Sequence, residues 1–243
     1  SSSEAFFLTA VHEFGHTLGL QHSWTSGVMS TEVTRATTKS QPLAADDVAG
    51  LSVLYPTAAF AQQTGVLTGR VTLGGSGVNL ASVVAFSPNR QAISTLTNPD
   101  GTYRLQGLPP GQYFIYVHAL PPSQPGEPQP VNLELPSDPG GRLTPSSAFD
   151  TTFYPGTSLP QQTVAVTAGQ VSENVNFSVN ARPVSLFGVT TYSYFGSNAV
   201  KPATLVLGKT IVTTVMTGTG IPLNGNGLNV SVISAPETTS IRP

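Results

Sequence analysis

Near the start of the chain, apolar residues recur at helical intervals. Phe7, Val11, Phe14 and Leu18 follow at spacings of four, three and four, a stripe along one face of a helix. The pattern predicts a helix that buries this stripe in its domain. Ser1-Ser2-Ser3-Glu4 fits a capping box with Ser1 at the N-cap and Glu4 at N3, and Ser3 would serve as cap equally well. A second helical face, Val48, Leu51, Leu54 and Tyr55, is stopped by Pro56. Residues 57–64 read as a short linker.

From Gly65 the period changes to two. Leu67, Gly69, Val71 and Leu73 alternate with Thr68, Arg70 and Thr72, and Val83, Ala85 and Ser87 continue the alternation. Asn98-Pro99-Asp100-Gly101 is a turn signal, and strands follow at Tyr103–Leu105 and Gln112–Val117. Residues 121–148, rich in Pro, Gly and Ser, read as a surface insertion. Phe153, then Val164 and Val166, then Val175, Phe177 and Val179 predict further strands. Beyond Ala181-Arg182-Pro183 come four more strand-like runs, Ser185–Tyr194, Ala203–Leu207, Thr210–Met216 and Leu228–Ile233. The fold class expected is multidomain: a partial helical subdomain over residues 1–56, then all-β sandwich modules. The modules are expected at 65–180 and, as a partial immunoglobulin-like unit, at 183–243.

Composition narrows the function. The chain has 243 residues, 24 glycines, 21 prolines and only 9% charged residues, which suits short strands joined by tight turns. Net charge is −2, with no basic patch, so nucleic acid is not an expected partner. The absence of cysteine excludes disulfides, a thiolate metal site and a cysteine nucleophile. No stretch approaches the ~20 apolar residues of a membrane helix. The chain starts at Ser1 with no signal peptide or pro-segment pattern, and reads as a fragment or processed form.

Three of the four histidines stand close together, in His12-Glu13-Phe14-Gly15-His16-Thr17-Leu18-Gly19-Leu20-Gln21-His22. His12 and His16, four apart, share one helix face and can reach one metal ion. Gly19 can leave the right-handed region and turn the chain so that His22 reaches the same ion. Three neutral imidazoles with a fourth position left to water describe a catalytic Zn2+ site. Glu13, rotated by ~100° from His12, can reach a water on that ion without ligating it. The fourth histidine, His118, follows a strand and reads as an ordinary surface or half-buried residue.

His-Glu-x-x-His-x-x-Gly-x-x-His followed by the Met29-containing turn resembles the metzincin zinc peptidases. Ser23 after the third histidine, and Ala45-Asp46-Asp47-Val48-Ala49-Gly50-Leu51-Ser52-Val53-Leu54-Tyr55, are similar to the matrixin branch. The resemblance covers residues 4–55 and corresponds to the C-terminal part of a catalytic domain. It implies His12, His16 and His22 as metal ligands, Glu13 as general base and Met29 as the methionine beneath the site. Asp46 and Asp47 would tie their helix to neighbouring parts of the domain, or simply complement the helix dipole. Ser30-Thr31 stand where matrixins usually have Tyr-Pro, a wall of the specificity pocket. Gly-x-Val near Gly69, Pro99-Asp100-Gly101-x-Tyr103 and Leu108-Pro109-Pro110-Gly111-x-Tyr113 resemble the carboxypeptidase-regulatory-like, transthyretin-like β-sandwich modules, which carry no catalytic residues.

These resemblances imply a secreted, extracellular zinc endopeptidase acting on protein or peptide substrates. Its β modules would hold a surface, a substrate or a matrix partner. Residues 1–243 alone are expected to have weak or no activity. The competing readings are a non-enzymatic extracellular adhesion or scaffold protein with a remnant metal site, and a metzincin of another branch.

Overall fold

The computed structural model describes residues 2–23, 25, 27–30, 37–87, 92–119, 137–143, 149–181, 191–194, 203–207, 210–215 and 228–234. Helix α1 spans Ser2–Thr17, α2 Ala45–Leu54 and the single turn α3 Phe60–Gln63. Ser3 lies inside α1 and is therefore not its cap, Ser1 falls outside the described residues, and the Glu4 carboxylate accepts the Lys39 amide at 3.1 Å.

Strands follow in an almost unbroken series. They are β1 Gly65–Leu73, β2 Ser76–Gly77, β3 Ser82–Phe86, β4 Ala92–Leu96, β5 Thr102–Leu108 and β6 Gly111–His118. The short pair β7 Ser137–Asp138 and β8 Gly141–Arg142 forms a hairpin within the Pro-rich stretch. Then come β9 Thr152–Phe153, β10 Thr163–Val166, β11 Val171–Ser172 and β12 Phe177–Val179. In one sheet, β1 pairs antiparallel with β5 and β2 and parallel with β11 and β12. In the other, β10, β6, β3 and β4 lie in that order, with β9 also against β6. The Asn98–Gly101 turn closes as expected, the Gly101 amide donating to the Asn98 carbonyl at 2.8 Å.

Period-two alternation puts one apolar face of each sheet against the other. Leu67, Val71, Tyr103, Leu105 and Phe177 meet Val83, Ala85, Ile93, Tyr113, Ile115 and Val166 in one core. The second sheet is apolar on its other face too, where Val84, Phe86, Ala92, Phe114, Tyr116 and Phe153 cluster. That double burial corrects the reading of His118. It closes β6 and stacks on Tyr116 with ring centroids 5.9 Å apart, only 4% exposed. Burial pushes its pKa down to about 4, because an imidazolium would lose its hydration there.

Strands β13 Thr191–Tyr194, β14 Ala203–Leu207, β15 Thr210–Val215 and β16 Leu228–Ser234 form an antiparallel sheet in the order β13-β16-β15-β14. All four coincide with strand-like runs of the sequence. The parts of the 121–148 insertion at 121–136 and 144–148, like Thr31, fall outside the described residues.

Helix α2 connects the helical segment to the sandwich. Ala49 is buried in the sandwich core, and a Cβ added at Gly107 of β5 would come within 3.1 Å of its methyl carbon. Helix α1 behaves differently from the expectation. Its buried face is Leu8, His12 and Gly15, one turn apart, and Leu8 packs with Val28 and Met29. Phe7 and Val11 are half-buried beside that cluster, whereas Phe14 and Leu18 are 67% and 43% exposed. The stripe is real, but only its N-terminal half has a partner among the described residues.

Candidate metal centre

Helix α1 sets His12 and His16 one turn apart, and the chain then reverses. The amides of Leu18, Gly19 and Leu20 bond back to carbonyls of Phe14, Gly15 and His16, and Gly19 takes φ +92°, the left-handed helix terminus that glycine adopts without a Cβ clash. His22 is thereby brought against the other two. The Nε2 atoms lie at 3.1 Å (His12 to His16), 3.2 Å (His12 to His22) and 3.2 Å (His16 to His22).

What the other ring nitrogens do decides the meaning of this triangle. His12 Nδ1 is 2.7 Å from the Val28 carbonyl and His16 Nδ1 is 2.9 Å from the Leu20 carbonyl. A carbonyl only accepts, so both Nδ1 atoms carry the proton and donate it. Both Nε2 atoms then point bare lone pairs at the centre. Lone pairs facing one another repel, and a cation between them reverses the sign. Tetrahedral Zn2+ with bonds of about 2.0–2.1 Å sets its nitrogen ligands roughly 3.3 Å apart, close to what is seen. The carbonyls also fix the ring orientations, as outer partners of metal-binding imidazoles usually do. The three histidines fit a zinc ion.

Beneath them lies the turn carrying Met29. Met29 is 2% exposed and packs against the helix at Gly15, where any Cβ would overlap its sulfur and lie 2.9 Å from its Cε. The turn is held from the other side by Asp47, whose carboxylate accepts the amides of Val28 and Met29, both at 2.9 Å, and of Ala44 at 2.7 Å. One residue thus caps α2 and ties down the methionine turn. Asp46, its neighbour, accepts from Ser23 Oγ at 2.5 Å, Thr25 Oγ1 at 2.7 Å, and Ser94 N and Oγ at 2.7 and 2.9 Å. Burial pushes its carboxyl pKa up, and these donors partly offset that.

Each expected site residue can now be placed. His12 is buried, His16 and His22 are half-buried, and Glu13 is exposed on the helix next to the site. Ser30, at the start of the departure from Tyr-Pro, is fully buried and donates its hydroxyl to the Thr25 carbonyl, so it braces the turn. Sequence reasoning missed Gly15 and Ser94. Gly15 carried a signal, since a small residue between two ligands leaves space on the helix face below them. Ser94 carried none, because it meets Asp46 from 48 positions away.

Comparison with known proteins gives the segment a relationship. No curated protein matches the chain. Two solved structures are similar at low level. One is a DUF3823 family protein from Parabacteroides merdae, at 15% identity and TM-score 0.26, covering 65% of this chain and 60% of that one. The other is fervidolysin from Fervidobacterium pennivorans, a keratinolytic enzyme related to subtilisin, at 16% identity and TM-score 0.29, covering 76% of this chain and 31% of that one. The chain therefore spans less than two thirds of either protein. Residues 1–56 match the Matrixin family, peptidase M10, and that part of the chain is a matrixin-like segment whose three histidines lie close together, an arrangement compatible with a zinc site.

Proposed function

We propose that the chain holds the C-terminal part of the catalytic domain of a secreted zinc endopeptidase, followed by β-sandwich accessory modules. The observation that carries the reading is the triangle of Nε2 atoms with two Nδ1 protons held outward by backbone carbonyls. His12, His16 and His22 would hold the ion. Zinc, when bound, supplies a Lewis acid that polarises the scissile carbonyl and acidifies water. Glu13 accepts the proton of the attacking water and returns it to the leaving amine. The carbonyls of Val28 and Leu20 keep the imidazoles of His12 and His16 in the ligating tautomer, and Met29 and Asp47 hold the floor beneath them.

The units proposed are 1–56 as the peptidase segment, 65–180 as a carboxypeptidase-regulatory-like sandwich and 183–243 as a partial immunoglobulin-like module. The substrate is a protein or peptide, and the location extracellular. With Phe14 and Leu18 exposed, residues 1–243 alone are expected to cleave poorly.

Zinc stoichiometry tests the metal site. One equivalent is expected near neutral pH, declining in acid because only neutral imidazoles ligate the metal, and lost on changing His12 and His22 to Ala. For the base, Glu13→Ala in the full-length protein is expected to retain zinc and lose peptidase activity. Unchanged cleavage by that variant would refute the assignment.

A further inference from the structure

Two of the three ligands are set on a single helix. His12 and His16 belong to one helix, and each ring is bonded to a backbone carbonyl. His22 lies beyond the Gly19 turn, so its position depends on the loop that follows. That loop is tied in two ways. The Ser23 amide donates to the Met29 carbonyl at 3.0 Å. The hydroxyls of Ser23 and Thr25, 2.7 Å from each other, both donate to Asp46.

The other half of the Asp46 carboxylate is taken by the sandwich. Within its sheet β4 pairs only with β3 among the described residues, and the Ser94 N–H faces out from that edge to Asp46 Oδ1. Ser94 Oγ donates to Oδ2, the same oxygen that holds Ser23 and Thr25. Asp46 is 8% exposed, so water replaces a lost donor poorly. The edge strand of the sandwich and the loop of the third metal ligand therefore share one buried carboxyl group.

We propose that Ser94 and Asp46 are positioning residues for His22, so that the β-sandwich is part of the metal site's support. The functional meaning rests on the zinc reading above, while the ordering of the loop does not. Ser94 donates, Asp46 relays, and Ser23 and Thr25 hold the chain directly after His22. Partners bonded directly to a ligating imidazole change metal affinity by about 10- to 100-fold when removed, and a support acting through the residues after His22 is expected at the low end of that range.

The test compares Ser94→Ala, Ser94→Thr and Asp46→Asn with Ser172→Ala. The Ser172 hydroxyl bonds the Ala165 carbonyl at 3.0 Å on a different edge of the sandwich. Zinc affinity is read by competition with a chromophoric chelator, and coordination by the visible spectrum of the Co2+-substituted protein. Loop order is read by hydrogen exchange at the Ser23 and Thr25 amides in metal-free protein. Expected are roughly tenfold weaker zinc binding in Ser94→Ala, a larger loss in Asp46→Asn, recovery in Ser94→Thr and no change in Ser172→Ala. The Co2+ spectrum should change in the two weakened variants, and their loop amides should exchange faster while β1 and β5 stay protected. Unaltered loop exchange in both overturns the proposal, as does unaltered zinc affinity. If the unmodified protein binds no zinc, the peptidase reading falls, and the exchange data alone decide whether the sandwich orders the loop.

Discussion

The sandwich and the histidine segment bury different things. Between the sheets, Leu67, Val71, Val83, Ala85 and Leu108 have no exposed surface, and Tyr113, Ile115 and Phe177 have almost none. In residues 2–55 the buried apolar residues, among those described, are Leu8, Val28, Met29 and Ala49, and Ala49 belongs to the sandwich core. Apart from glycines, the other buried residues of the segment, among those described, are polar: His12, Thr25, Ser30, Asp46 and Asp47. One region is organised by apolar area, which is tolerant in direction. The other is organised by directed bonds to two carboxylates, which specify where individual atoms sit. A ligand set needs the second kind of order, because an imidazole misplaced by about 1 Å no longer reaches its ion.

The largest effect that would sharpen this contrast is a cavity in the sandwich. Phe177→Ala is expected to cost about 3–5 kcal/mol of sandwich stability, seen as a lower denaturation midpoint. The proposed coupling through Ser94 predicts that the histidine loop loses order with it. A loop that keeps its exchange protection while the sandwich weakens would break the link between the regions.

Acid should weaken the sandwich through one buried group. Its buried His118 has a folded pKa of about 4 against 6.5 for a free imidazole. Between those values the unfolded chain takes up a proton that the folded one refuses. Stability from this group is whole above about pH 6.5 and falls as pH drops toward 4, by on the order of 3 kcal/mol. Denaturation of the protein and of His118→Gln across that range measures it, since the variant lacks the titrating group and should lose less.

Asp47→Ala is the converse experiment, with an expected local cost of about 2–3 kcal/mol. It leaves the amides of Val28, Met29 and Ala44 without their acceptor, and an unmade buried hydrogen bond costs about 1–3 kcal/mol. Faster exchange at Val28 and Met29, with β3 and β6 unaffected, is the expected result. Equal loosening of the sandwich would mean that the two regions unfold as one unit.

Much of the architecture was legible in the residues, for reasons these regions make plain. The extent of the helix at Ala45–Leu54, the alternation at Leu67 and Val71, the Asn98–Gly101 turn and the last four strands follow from periodicity and turn chemistry, which act over a few positions, whereas the expected apolar face of that helix does not hold, since Val48, Leu54 and Tyr55 are exposed. The three histidines were legible because their spacing is itself local. Tertiary partners were not. Nothing in Phe14 or Leu18 says whether a surface waits for them, so an amphipathic stripe predicts burial where the structure leaves both side chains exposed. His118 was read as peripheral because alternation describes one covered face, and its sheet is covered on two. Asp46 could be read as a helix-dipole residue from its neighbours alone, and only the fold brings Ser94 to it.

The smallest change in the series is a single methyl group at Gly15. An added Cβ would overlap Met29 Sδ, and the backbone at this point belongs to α1, so the methionine must give way. Met is unbranched and adaptable, which keeps the expected cost to about 1–2 kcal/mol, and alanine's better helix propensity of about 1 kcal/mol over glycine offsets part of it. Gly15→Ala should therefore leave overall stability nearly unchanged. Its effect belongs to the turn: Met29 moves, and with it the Val28 carbonyl that orients His12. Zinc affinity is expected to fall while the denaturation midpoint barely shifts, a separation that a chelator competition and a denaturant titration on the same sample would read. A variant that loses stability and keeps its zinc affinity would mean that the methionine turn serves only packing, and that the order of the ligands comes from the helix alone.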